Sequence, residues 1–332
     1  MIGFAVESGP ASISTMPGPL NLDGSQVMAT IGVIGAGHVG ASCARAIVRD
    51  GLVERLTIYD RTESYAEGEA LDLTHALPML HPCEIRGRPL TAVRPEDVLI
   101  MAFGSHTTVG QSRLDLASAN LAICEEIAAD VEVGGLPRVC LVATSPLDLL
   151  TEYLTRRWAG RMVNVIGSGT SLDTWRLRGE LASVCRVHPT SVHAWVVGEH
   201  GDSAVLLFSS ASIAGLTLDE FARQTGIDLS AERLATIAET VRTAAYRVRE
   251  LKGSTWDAIG LAVAALVRNI VRDHGRIVPV SVRVADRLCA SLPCVLGPEG
   301  AGKPLRPRMD DQEAAAWERS LEVLRQALTA LP

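Results

Sequence analysis

An apolar run at residues 30–35 passes directly into Gly35-Ala36-Gly37-His38-Val39-Gly40, and the helix-spaced apolar residues Val39, Cys43, Ala46 and Ile47 follow without a break. Few folds accept that order of signals. It predicts a buried strand, a turn that needs glycine, and a helix whose N-terminus starts at the strand's end. Short apolar runs recur around residues 55–60, 97–103, 138–143 and 162–167, with helical stretches between them. Runs of this kind alternating with helices predict an α/β fold, with a doubly wound parallel sheet covered by helices on both faces.

After Gly169 the alternation weakens. A helix is expected near residues 172–186, strands near 191–197 and 204–209, and two long helices at 231–250 and 255–272. Strands near 277–284 and 293–297 come next, and residues 310–330 form an amphipathic helix with Trp317, Leu321, Leu324 and Leu328 on one face. At 332 residues the chain has room for two cores. The expected organisation is a mobile Gly/Pro/Ser-rich arm at 1–28, a dinucleotide-binding domain at 29–168 and an α+β substrate domain at 169–332.

A net charge of −7 and the lack of any Lys/Arg cluster long enough to form a phosphate-tracking stripe give no field to gather nucleic acid. No apolar stretch reaches the roughly 20 residues that span a bilayer, so no membrane partner is expected. Residues 1–28 contain no Lys or Arg, which argues against an export signal and for a cytoplasmic protein. The seven cysteines are odd in number and include no C-x-x-C pair, so they read as buried thiols in a reducing compartment, with no metal site.

The glycine turn gains meaning from Asp60, which lies twenty residues beyond Gly40 at the end of the next expected strand. Together they form a Rossmann-type dinucleotide fingerprint. Gly35 permits the tight turn, Gly37 lets the backbone approach a pyrophosphate, and Gly40 lets helix and strand pack closely. His38 and Val39 sit inside the loop. Asp60 would accept hydrogen bonds from the adenosine ribose and repel the 2′-phosphate of NADP, so NAD is the expected cofactor. Arg61 leaves some NADP use open.

Further along lie Ser112-Arg113-Leu114-Asp115-Leu116, Ala143-Thr144-Ser145-Pro146, Leu172-Asp173-Thr174-Trp175-Arg176 and Gly198-Glu199-His200-Gly201-Asp202-Ser203. With the glycine loop, their order and spacing make the chain resemble the lactate/malate dehydrogenase family from about Thr30 to its end. The resemblance implies hydride transfer between NAD and the 2-carbon of a small 2-oxo/2-hydroxy acid. Reducing a ketone leaves charge on its oxygen, which needs a proton donor with a pKa near neutral, and histidine suits that task. The matching residue is His200. Asp173 would fix its tautomer and raise its pKa. Arg176, one helical turn on, would grip the substrate carboxylate with two parallel bonds. Arg113, in a loop carrying Gly104 and Gly110, would polarise the carbonyl as a hinged lid closes.

The sequence departs from that pattern at the substrate's side chain. Six residues before Arg113, lactate enzymes generally have Gln and malate enzymes Arg; here the residue is Thr107. No guanidinium awaits a second carboxylate, which makes malate the lesser alternative. Thr107 and, by the resemblance, Thr255 leave a roomier or more polar pocket, suited to a specialised larger or polar substrate. Ser145 replaces the usual Asn before a proline whose bond is usually cis, so Ser145–Pro146 is expected to be cis. Val109 replaces a lid proline, and His106 lies beside Thr107. A reading of another class is an NAD-binding regulatory or scaffold homologue with impaired catalysis. The retained charges at His200, Asp173, Arg176 and Arg113 speak against it. The family also implies a homodimer or homotetramer, with contacts through the long helices.

Overall fold

The computed structural model describes residues 29–105 and 113–330. The first half runs β1 (Ala29–Ile34), α1 (His38–Arg49), β2 (Val53–Asp60), α2 (Glu63–Ala76), β3 (Glu84–Pro89), β4 (Val98–Met101), α3 (Arg113–Gly134), β5 (Val139–Val142), α4 (Leu147–Arg157) and β6 (Asn164–Gly167). Its six strands are parallel and ordered β3-β2-β1-β4-β5-β6. The order reverses between β1 and β4, and the crevice above such a reversal is where open α/β sheets bind ligands.

Period-two alternation sorts the strand residues onto two covered faces. Val98 and Ile100 pack with α1, α2 and Leu266, Val267 and Ile270 of α8 (Asp257–Val271). Leu99 and Met101 pack with Leu121, Ile127 and Val131 of α3 and Leu150 and Leu154 of α4. Burial on both sides explains why these strands read as unbroken apolar runs.

The second half comprises α5 (Ser171–Cys185), β7 (Val192–Val197), β8 (Val205–Ile213), β9 (Leu216–Thr217), α6 (Leu218–Thr225), α7 (Ala231–Lys252), α8, β10 (Ile277–Ala285), β11 (Leu288–Gly297), β12 (Gly300–Ala301) and α9 (Asp311–Thr329). Strands β7, β8 and β9 make a separate three-stranded antiparallel sheet, over which Leu177 and Leu181 of α5 and Ile237 and Val241 of α7 close a core. Trp317, Leu321 and Leu324 of α9 are buried and Leu328 packs beside them, the stripe expected from the sequence.

Several features differ from the sequence reading. The edge strand β3 and the short helix α6 were not anticipated. β11 begins at Leu288, well before residue 293, and β8 runs on to Ile213. Strand β10 pairs antiparallel with β6 through Ser281 and Gly167, so β10, β11 and β12 extend the large sheet to nine strands across the 168/169 boundary. Pairing of this kind is a tertiary event with no local signal.

Candidate active site

The glycine turn is built as its residues demand. Gly35 has φ +100°, and a Cβ there would stand 2.5 Å from the Ala102 carbonyl oxygen; one on Gly40 would stand 1.8 Å from the Gly35 oxygen. These two glycines are required by the chain's own backbone. Gly37 differs, because a Cβ there would meet nothing within 4 Å. It caps α1 in extended conformation, and among the described residues no side chain bonds to the helix's first amides. No described part of the chain requires glycine there, and the open helix N-terminus beside it suits a pyrophosphate.

Asp60 braces this turn. Its Oδ2 accepts from the Ala36 N–H and its Oδ1 from the Thr62 N–H, both at 2.9 Å. A carboxylate has about four acceptor positions, so each oxygen keeps one for a ribose hydroxyl. Arg61 points instead to Glu126, 3.2 Å away, in an exposed pair. His38 is exposed and its ring lies 4.6 Å from that of Trp256, whose other partner is the Lys252 ammonium, 3.7 Å from the ring centroid. Val39 and Thr255 are half-buried. Dinucleotide loop and α7–α8 junction thus meet through an aromatic contact.

The candidate catalytic constellation rests on the start of α5 and the loop after β7. Asp173 bridges two partners: Oδ2 lies 2.8 Å from His200 Nδ1, and Oδ1 accepts from Arg176 Nη1 at 2.8 Å. Arg176 follows Asp173 by three residues, so both leave the same face of α5. Burial around the His200 ring opposes protonation, but Asp173 and then Asp148 outweigh it and raise the pKa above the ordinary 6.5. Burial likewise works against the charge on Asp173, yet His200 and Arg176 hold its carboxyl below the usual value. The ring keeps 27% of its surface open, so it is reachable from the cleft.

Asp148, which the sequence reading did not select, fixes the histidine loop. Its Oδ2 accepts from the His200 backbone N–H at 2.7 Å and its Oδ1 from the Ser281 hydroxyl at 2.5 Å. Burial pushes its carboxyl up to about 6, against the pull of Ser281 and the His200 amide. The loop is held at neighbouring points too. Gly198 and Ser291 exchange backbone bonds of 3.0 and 2.8 Å, and the Glu199 N–H donates to Ser320 Oγ at 2.8 Å. The available signal was an acidic residue within Leu147-Asp148-Leu149-Leu150, where an unpaired charge would be costly.

Ser145 lies three residues before Asp148, its bond to Pro146 is cis, and its side chain is exposed. Its carbonyl accepts from Asn120 Nδ2 at 2.7 Å, while Asn120 Oδ1 accepts from the Ser105 N–H at 2.9 Å. Asn120 thus ties α3 to both loops at this end of the sheet, a role missed because Asn120 belongs to no motif. Arg113 opens α3, but its side chain, with His106, Thr107, Val109 and the arm at 1–28, lies outside the described residues.

Two family models match nearly the whole of the described chain. Residues 29–167 match the lactate/malate dehydrogenase NAD binding domain, and residues 170–331 match the lactate/malate dehydrogenase alpha/beta C-terminal domain. The chain belongs to the lactate/malate dehydrogenase family. Among its relatives, an L-lactate dehydrogenase of Thermus aquaticus is 37% identical over 306 residues, covering 91% of this chain and 99% of that one. One from Pseudothermotoga lettingae is 37% identical over 300 residues, covering 89% and 94%. The minor L-lactate dehydrogenase of Enterococcus mundtii superposes with a TM-score of 0.87 at 28% identity, covering 92% of this chain and 99% of that structure. The lactate dehydrogenase MGS-M5, from a Medee basin deep-sea metagenome library, gives 0.85 at 30% identity, covering 91% and 98%. This member of the family is an NAD-dependent 2-hydroxy acid dehydrogenase, nearer the lactate than the malate type.

Proposed function

We propose that His200, Asp173 and Arg176 form the working centre, reducing a 2-oxo acid to its (S)-2-hydroxy acid and running the reverse reaction. The supporting observation is the Asp173 carboxylate shared between His200 Nδ1 and Arg176 Nη1, each at 2.8 Å. With Nδ1 engaged, Nε2 is the nitrogen left to face substrate, and the raised pKa favours its protonated form. Arg176 spends one N–H on Asp173, and its remaining donors suit a carboxylate gripped at two oxygens.

The dinucleotide would be held by the Gly35–Gly40 turn, the first amides of α1 and the free acceptor positions of Asp60. When bound it supplies or takes up the hydride at the 2-carbon. As charge gathers on the carbonyl oxygen, His200 gives up its Nε2 proton to that oxygen, and Asp173 stabilises the imidazolium beforehand. In reverse, neutral His200 takes the hydroxyl proton. Arg113, at the start of α3, would add positive charge beside the same oxygen. Ser145 would offer it one hydroxyl bond, and Thr107 and Thr255 would border the substrate's side chain.

The natural substrate is a 2-oxo monocarboxylic acid with a larger or more polar side chain than a methyl group, a reading supported by the short Thr107 and Thr255. NADH oxidation against pyruvate, oxaloacetate and longer or hydroxylated 2-oxo acids tests this. The expected result is turnover of monocarboxylic acids, with oxaloacetate weak. Silence across the panel with NADH still bound would make the chain a cofactor-binding protein without catalysis. We infer a homodimer or homotetramer, supported by exposed Leu251 and Leu261 on the long helices α7 and α8. A cytoplasmic location is supported by seven unpaired cysteines. Among the described residues, no helix is long and apolar enough to cross a membrane.

A further inference from the structure

The outer edge of the large sheet holds a cavity of about 250 Å³ that shares no residue with the site above. Thr57 pairs with Arg86 and Tyr59 with Arg88 across β2 and β3, so alternate residues of both strands, Arg55 included, present one polar face. Arg94 and Glu96, from the segment entering β4, also line it, as does one further carboxylate residue, Glu63 at the start of α2.

Glu96 is the unusual member. It is 4% exposed, and its Oε1 accepts from the Tyr59 hydroxyl at 3.0 Å. Burial, then the neighbouring Glu96 charge, push the Tyr59 phenol up to about 12, so it stays a donor. Oε2 of Glu96 is buried with no hydrogen-bond partner, and the Arg55 guanidinium stands 3.9 Å away, too far for such a bond. A buried carboxylate oxygen without a hydrogen bond is costly, the Arg55 charge at 3.9 Å offsets only part of that cost, and a further donor would be favourable there. Arg86 is paired with Glu84, but among the described residues no carboxylate pairs with Arg88 or Arg94.

Two unengaged forks and one orphaned acceptor define the complement: an anion joined to a hydrogen-bond donor. One fork saturates a carboxylate, whereas the three terminal oxygens of a phosphate monoester can engage two. The volume admits a small molecule, and the chain's net charge of −7 disfavours a long polyanion. We propose that this cavity binds a small polyol phosphate, with its phosphate on Arg88 and Arg94 and a hydroxyl donating to Glu96 Oε2.

Isothermal titration of the full chain with saturating NADH, using glycerol 3-phosphate, inorganic phosphate and glycerol, tests the proposal. Glycerol 3-phosphate should bind more tightly than inorganic phosphate, and glycerol should not bind. The Arg88→Ala/Arg94→Ala variant, altered only at exposed positions, should bind both phosphates at least tenfold more weakly with turnover unchanged. Glu96→Ala should retain inorganic phosphate and lose the preference for glycerol 3-phosphate, because no acceptor or donor is left there for the hydroxyl. Three results would overturn the assignment: no heat from either phosphate, unchanged affinity in the double arginine variant, or binding that appears only without NADH.

Discussion

Asp173→Asn keeps the volume of the side chain and removes its charge from both His200 and Arg176, and only the His200 part of the effect varies with pH as the ring titrates. The carboxylate lies 2.8 Å from Nδ1 and is 13% exposed. At about 4 Å between charge centres and an effective dielectric of about 20, the attraction to an imidazolium is about 4 kcal/mol. Solvent reaches 27% of the ring, so screening takes this to about 2 kcal/mol, a fall of roughly 1.5 pKa units. The sign follows from the raised pKa of the native histidine. Reduction needs the protonated ring, so its rate is level at low pH and declines as pH rises through that pKa. In the variant the decline begins about 1.5 units earlier, and above both midpoints kcat/KM is roughly 30-fold lower, a gap that narrows toward acid pH. Initial rates of NADH oxidation from about pH 5 to 9, at limiting 2-oxo acid, measure both curves. An unmoved midpoint, or a loss equal at every pH, would refute the reasoning.

Three further outcomes follow from the same geometry. Arg176→Lys replaces the fork by a point charge, at a cost of about 1.5–3 kcal/mol or a KM raised about 10- to 150-fold; an unchanged KM would remove Arg176 from carboxylate binding. Gly37→Val should fold normally, since a Cβ there meets nothing within 4 Å, yet weaken NADH in fluorescence titration by about tenfold or more, on the order of 1.4 kcal/mol; full affinity would place the pyrophosphate elsewhere. For Asp148→Asn, the buried carboxyl goes from an ordinary 3.8 to about 6, so the wild type loses stability, about 3 kcal/mol, as pH rises through that window. The variant lacks this loss, and its melting temperature should gain on the wild type between about pH 4 and 6; parallel stability curves would contradict it.

How far the sequence could be read depended on whether a signal was local. The central strands announced themselves because burial on both faces leaves no polar alternation, as in the Val98–Met101 and Val139–Val142 strands. The edge strand Glu84–Pro89 hid because its residues, Glu-Ile-Arg-Gly-Arg-Pro, are half-exposed and two are arginines. The helix Leu218–Thr225 is short, although the capping box of Thr217 and Glu220 was a legible start. Strand β11 was cut short at Pro293, a residue that interrupts sheet patterns but here lies opposite Pro279.

The site divides the same way. Gly35, Gly40, His200, Asp173 and Arg176 belong to contiguous motifs whose residue types are tied to chemistry, and the structure joins the last three through one carboxylate. Asp148, Ser281 and Asn120 act by reaching across the fold, over separations of 52, 133 and 25 residues in their key bonds. No spacing rule could find them. Asp60 was read as a ribose acceptor; what the folded turn shows is its bonds to the Ala36 and Thr62 amides, which no sequence signal announced.

The acid/base role of His200 is tested most directly by His200→Asn, with 2-oxo acid reduction and NADH affinity measured on the same preparation. Loss of a positioned proton donor should lower kcat by about 10²- to 10⁴-fold while NADH binds as before. Turnover within about tenfold of the wild type would contradict the account, since tenfold is only about 1.4 kcal/mol of barrier.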